Sequence, residues 1–179
     1  MTILPGVRRV LTLSLVLTAL LPAAAAQAAG PDVGWAERQN GLHEEGTSNC
    51  SPTIDAWERA MGLRVPPCRP WCGAFLHQAF LRGGIRLSAR LIDPDRSYED
   101  AVAGRRHLRR IPVEDVRRGD LLFFAFRRGL KASHLALVRG RPGKDGRAPT
   151  VEGNVGHHVT LERRGLRYAV LAARVVQRD

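Results

Sequence analysis

The stretch Pro70-Trp71-Cys72-Gly73-Ala74-Phe75-Leu76-His77-Gln78-Ala79-Phe80-Leu81-Arg82 decides how this chain folds. Cys72, Phe75, Leu76, Ala79 and Phe80 recur at the spacing of one helical face, and Gly83-Gly84 ends the pattern. The spacing predicts a helix over 71–82 whose apolar face meets a core. The stiff connector Pro66-Pro67-Cys68-Arg69-Pro70 delivers the chain to it. Cys72 therefore stands in the first helical turn, where unpaired peptide N–H groups favour negative charge. A thiol in that position is a candidate nucleophile if the fold also supplies a histidine base and an orienting polar group. Without them it is one more buried thiol.

Upstream, Ser51-Pro52 reads as a helix start, with serine at the cap and proline at the first helical position. Ile54, Trp57 and Met61 follow at helical spacing, and Gly62 closes that helix. A first helix is expected over 33–45, with Trp35, Ala36 and Leu42 on its apolar side. Downstream, residues 86–118 are polar and irregular, with one short helix expected near 97–103. The arginine group Arg105, Arg106, Arg109, Arg110, Arg117 and Arg118 in that region reads as a solvated face. Strand-like runs then occupy 120–126, 134–139, 150–152, 158–162 and 167–176, broken by turn signals at 141–146 and at Gly165. Helices first and an antiparallel sheet second is an α+β order, unlike the alternation of a parallel sheet.

The chain has 179 residues and a formal net charge of +11. Arg8-Arg9, the apolar run 10–21 and the small residues up to Ala26-Gln27-Ala28 read as a secretory signal peptide over 1–28. Residues 29–179 are expected to form one domain. Cleavage would remove two arginines and no acid, lowering the charge from +11 to +9. An exported, basic domain suits anionic envelope polymers, and no nucleic-acid motif accompanies its arginines. The expected location is the periplasm or the extracellular space, with no membrane span after cleavage and a monomeric state.

Three cysteines remain, Cys50, Cys68 and Cys72. Thiols pair in an oxidising compartment, and an odd count leaves one out. The economical arrangement joins Cys50 to Cys68 and leaves Cys72 free. The rival pairing of Cys68 with Cys72 would abolish the nucleophile. No histidine pair has zinc-ligand spacing, so no metal and no cofactor are expected.

His134 is the best-placed base, at the mouth of the strand His134-Leu135-Ala136-Leu137-Val138. The next strand carries Glu152-Gly153-Asn154, and residues two apart share a strand face. Glu152 and Asn154 are thus both expected to address the site, one of them accepting from the histidine Nδ1–H. His77 is expected to be partly exposed on its helix, and His157-His158 to alternate faces along a strand.

These residues carry a family resemblance. Glu45-Gly46-Thr47-Ser48-Asn49, Pro70-Trp71-Cys72-Gly73-Ala74-Phe75, Gly119-Asp120-Leu121-Leu122-Phe123-Phe124, the His134 strand and Val151-Glu152-Gly153-Asn154 occur in the order of the CHAP domain. This is the cysteine- and histidine-dependent amidohydrolase/peptidase family of the papain-like, NlpC-type superfamily. The resemblance spans about Gly41 to Thr160. It implies a papain-like fold, Cys72 as nucleophile, His134 as base, Glu152 and Asn154 as its polar support, and cleavage of amide bonds in peptidoglycan. Trp71 and Asn49 are expected beside substrate, with Asn49, on the loop that a Cys50–Cys68 bond would tether, a candidate oxyanion donor or, alternatively, a cap of the helix at Ser51. Ala136 stands where the family often has glycine, and the aspartate-rich calcium loop of some members has no counterpart. An inactive wall-binding or partner-binding module, a thiol acyltransferase and a protein peptidase are the other readings.

Overall fold

A computed structural model describes residues 30–176. The signal-peptide reading of 1–28 lies outside the described residues. The chain orders itself as helices α1 (Val33–Arg38), α2 (Pro52–Ala60), α3 (Cys72–Arg82) and α4 (Pro94–Val102), then strands β1 (Leu108–Ile111), β2 (Leu121–Phe124), β3 (His134–Val138), β4 (Arg147–Val155), β5 (His158–Gly165) and β6 (Ala169–Val175). The strands form one antiparallel sheet in the order β1-β6-β2-β3-β4-β5. The architecture is α+β. Among the described residues no helix is long and apolar enough to cross a membrane.

Helix α3 forms where the apolar spacing places it, and Cys72, Phe75, Leu76, Ala79 and Phe80 are all buried. It packs on one sheet face, meeting Leu121, Phe123, Leu135, Leu137, Val151 and Leu171 in the main core. Trp35, Trp57, Trp71 and Phe75 join them as a cluster with ring centroids 5.7–6.1 Å apart. Their tilted and edge-on contacts are the arrangements aromatic quadrupoles favour. The opposite sheet face has its own apolar layer, including Leu122, Phe124, Ala136 and Val138.

Helix α2 starts as its residues dictate, with Ser51 Oγ accepting from the Ile54 N–H at 3.2 Å and Pro52 at the first helical position. Helix α1 is shorter than the periodicity suggests. It stops at Arg38, and Gly41 then adopts φ +87°, a conformation that suits glycine. The segment after it pairs with β5 instead: Gly41 N–H donates to Val159 O, Val159 N–H to Leu42 O, and Glu44 N–H to His157 O. Leu42 thus follows an extended run rather than a helical face.

Strand β1 is the element that sequence reading misses. Its four residues, Leu-Arg-Arg-Ile, present only two apolar side chains, and β6 supplies the pairing that makes them a strand. The expected short helix near 97–103 begins earlier, at Pro94, because Asp93 caps it by accepting from the N–H groups of Asp95 and Arg96. The arginine face is partly an ion-pair cluster: Arg90, Arg105 and Arg106 converge on the buried carboxylate of Asp100.

Close backbone contact fixes α3 at its Cys72 end. A Cβ on Gly73 would lie 1.9 Å from the carbonyl oxygen of Leu91, in the single turn Ala89–Ile92. Gly73→Ala must therefore push two backbone segments apart. The expected cost is about 2–3 kcal/mol or more, read as a lower urea midpoint at unchanged slope.

Candidate active site

The first requirement for a thiol nucleophile is a free thiol. Cys50 and Cys68 form a disulfide, and Cys72 is free and buried at the start of α3. The disulfide joins the residue after Asn49 to the residue two before Pro70, so it ties together two segments that flank Cys72. Disulfides persist in oxidising compartments.

His134 opens β3 and faces the thiol. Its strand neighbours Leu135 and Leu137 point to α3, so His134 belongs to the other sheet face with Ala136 and Val138. His134 is the first residue of its strand, and there it lines one cleft with Cys72. The ring's Nε2 lies 2.8 Å from Glu152 Oε2, and the Cys72 side chain is the neighbour across the cleft that helps to raise the ring's pKa. With Nε2 taken by the carboxylate, Nδ1 is the nitrogen left for sulfur. This reverses the sequence expectation, in which Nδ1–H faced the orienting group. The strand approaches its neighbour from the side that presents Nε2, a matter of tertiary geometry.

Glu152 is fully buried, and four donors hold it. Thr150 Oγ1–H donates to Oε1 from two residues back on the same strand. Arg164 donates from Nε to Oε1 at 2.8 Å and from Nη2 to Oε2 at 2.7 Å. The guanidinium is itself covered by the rings of Phe124 and Phe126, at 5.9 and 5.7 Å from their centroids. Phe126 also touches the His134 ring, with centroids 5.9 Å apart.

These contacts set the charges. Burial works against the His134 cation, but the hydrogen bonds with Cys72 and Glu152 outweigh it and raise the imidazole from 6.5 to about 9. Burial likewise opposes the Glu152 anion, yet His134 and Arg164 bring it down from 4.5 to about 2. Arg164 is raised in turn by its bonds to Glu152. The site holds a carboxylate between an imidazolium and a guanidinium.

Asn154 does not support the base. A bulge interrupts β4 between Glu152 and Val155, and Asn154 takes φ +63°. It therefore leaves the Glu152 face, and its Nδ2–H donates to Asn49 Oδ1 at 3.0 Å. The expected polar pair is split: Glu152 orients His134, and Asn154 orients Asn49. Asn49, with φ +60°, is not the cap of α2, because Ser51 fills that role. Its Oδ1 accepts from Asn154, which leaves its Nδ2–H groups to the cleft it lines beside Cys72. Trp71, expected beside substrate, does not line the cleft. It is fully buried, and its Nε1–H donates to Glu44 Oε2 at 3.0 Å. Gly153 allows this packing, since a Cβ there would lie 2.8 Å from the Trp71 ring.

Two residues were missed. Buried Glu44 receives Trp71 on one oxygen and faces His157 Nδ1 with the other. His157 sits in the β4–β5 turn at φ +73° and lines the cleft, rather than alternating along a strand. No sequence signal marks this pair, because 113 residues separate its members and the contact depends on residues 41–44 pairing with β5. His77, expected to be partly exposed, is fully buried, and burial lowers its pKa.

The cleft over Cys72 and His134 has a volume of about 320 Å³. Chemically, the arrangement offers a thiol, a base able to hold its proton, a fixed carboxylate behind that base, and donors at a helix start. Comparison with protein-family models, curated proteins and solved structures finds no significant match to this chain.

The His134 shift makes stability depend on pH. The unfolded chain loses this proton near 6.5 and the folded protein near 9. The contribution is therefore complete below 6.5 and is lost as pH rises through about 9. Urea unfolding of the wild type should weaken by on the order of 2–3 kcal/mol between about pH 6 and about pH 10. His134→Gln should remove most of that dependence.

Proposed function

We propose that this protein is an exported cysteine hydrolase of the CHAP type, with a papain-like arrangement, that cleaves amide bonds of bacterial peptidoglycan. One observation carries the reading: the single free thiol stands at a helix start and lines an open cleft together with a histidine whose Nε2 meets a buried carboxylate. A structural cysteine needs none of these partners. The CHAP-like motif order and the basic charge support a wall substrate.

The reaction runs as acyl transfer. In the reacting form the Cys72 thiol proton has passed to His134, which retains it to about pH 9, and Glu152 stabilises that imidazolium. The thiolate attacks the carbonyl carbon of the substrate amide. The oxygen that becomes negative is held by the Cys72 backbone N–H at the start of α3 and by an Nδ2–H of Asn49. Asn154 fixes which way that amide faces. The tetrahedral intermediate collapses as His134 gives its proton to the departing nitrogen, leaving an amine and a thioester on Cys72. His134 then draws a proton from water, hydroxide adds to the thioester, and the carboxylic acid leaves as sulfur regains its proton.

Incubation with defined peptidoglycan and mass spectrometry of the muropeptides tests this. Wild type should release new amine and carboxyl ends, and Cys72→Ala should lose at least about a thousandfold in rate. An unchanged muropeptide profile with wild type, or full activity in Cys72→Ala, would sink the proposal. Asn49→Ala should keep the thiol alkylatable by iodoacetamide while lowering turnover about 100-fold. Undiminished turnover would remove Asn49 from the oxyanion site.

A further inference from the structure

The cleft extends to both sides of Cys72. On one side lies the polar half, with Asn49, His134 and His157. On the other lies a second hollow of about 290 Å³ whose walls include Ile92, Pro94, Leu130 and Ala132. Four residues line both: Pro70, Cys72, Arg127 and Ser133. Pro70 has no polar side-chain atom. Ser133 Oγ is occupied, accepting from Phe126 N–H at 2.8 Å and lying 3.5 Å from Phe124 O. That leaves Arg127 as the one polar side chain, besides the thiol, that both halves share and no described residue engages.

Other charges around the cleft are committed. Arg69 donates to Pro67 O and Arg64 O and pairs with the buried Glu58. Asp93 caps α4 and pairs with Arg96. Arg127 makes no hydrogen bond or ion pair to the described residues. It is nevertheless not carried on a free loop. Asp95 Oδ1 accepts from the N–H groups of Lys131 and Ala132, Lys131 Nζ donates to Glu99, and Phe126 stacks on Phe124 at 5.5 Å. The segment carrying Arg127 is thus anchored at Phe126 and at Lys131-Ala132, while the exposed Arg127 side chain has no partner among the described residues where the two hollows meet.

We propose that Arg127 is a specificity-determining residue that binds a carboxylate of the substrate next to the scissile amide, with the apolar half taking a neighbouring aliphatic group. The planar guanidinium fork matches a carboxylate through two parallel hydrogen bonds, and a carboxamide cannot reproduce both. The preferred substrate class is a peptide with a free carboxylate flanking the cleaved bond. This rests on the hydrolase reading above.

The test uses two synthetic peptides that differ only in carrying a carboxylate or a carboxamide beside the scissile amide. Wild type should cleave the carboxylate form with kcat/KM about 10- to 100-fold higher, mainly through KM. Arg127→Gln should abolish the preference, and Arg127→Lys should restore part of it. Calorimetric binding of both peptides to the Cys72→Ala protein reads the same preference without turnover. Equal affinities there, or a preference that survives Arg127→Gln, would overturn the assignment of Arg127. Tighter binding of the carboxylate form that depends on Arg127 would uphold it even if wild type cut neither peptide, an outcome that counts against the hydrolase reading alone.

Discussion

The site depends on one buried carboxylate. Glu152 is removed from water, and an isolated charge there would cost several kcal/mol. It is tolerated because Arg164, Thr150 and His134 together occupy its oxygens. Each of those partners then becomes constrained. Arg164 is pulled in under Phe124 and Phe126, which closes the outer side of the site. His134 is held by Nε2, so its ring turns Nδ1 toward the thiol. The proton that the imidazole retains to about pH 9 follows from Cys72 together with this charge. Removing Glu152 would leave a half-buried guanidinium and an unanchored ring, so its effects reach beyond one hydrogen bond.

The opposite wall is built by different means. There the Cys50–Cys68 disulfide, the cap of α2 at Ser51 and the Asn154–Asn49 contact hold a loop that has little apolar content. Beneath it, buried Glu44 links Trp71, the residue before the thiol, to His157 on the cleft surface. The two walls meet at the start of α3, whose close approach to the Leu91 backbone requires glycine at 73. Precision at Cys72 thus comes from covalent, polar and steric constraints converging on one helical turn.

Much of this was legible in local patterns. Helices α2 and α3 follow from caps, proline placement and apolar spacing, because each has an amphipathic face that reads the same in any context. Strands β2 and β3 follow from apolar runs that are buried on both faces. Strand β1 was not legible, since two apolar residues among arginines become a strand only when β6 is beside them. The early end of α1 was hidden for the same reason: residues 41–44 are claimed by β5, which is distant in sequence.

The amino-acid sequence by itself determined which residue types carry the proposed chemistry, that the odd thiol stands at the start of an apolar helix, and the order of cysteine, histidine and glutamate. Those properties reside in short stretches and survive without a fold. Only the tertiary structure decided which histidine nitrogen meets Glu152, that Asn154 serves Asn49 rather than the base, that Trp71 is buried, and that Glu44 lies under His157. A bulge, a strand mouth and a long-range strand pairing set these directions. They are properties of how elements approach one another, which one-dimensional spacing does not encode.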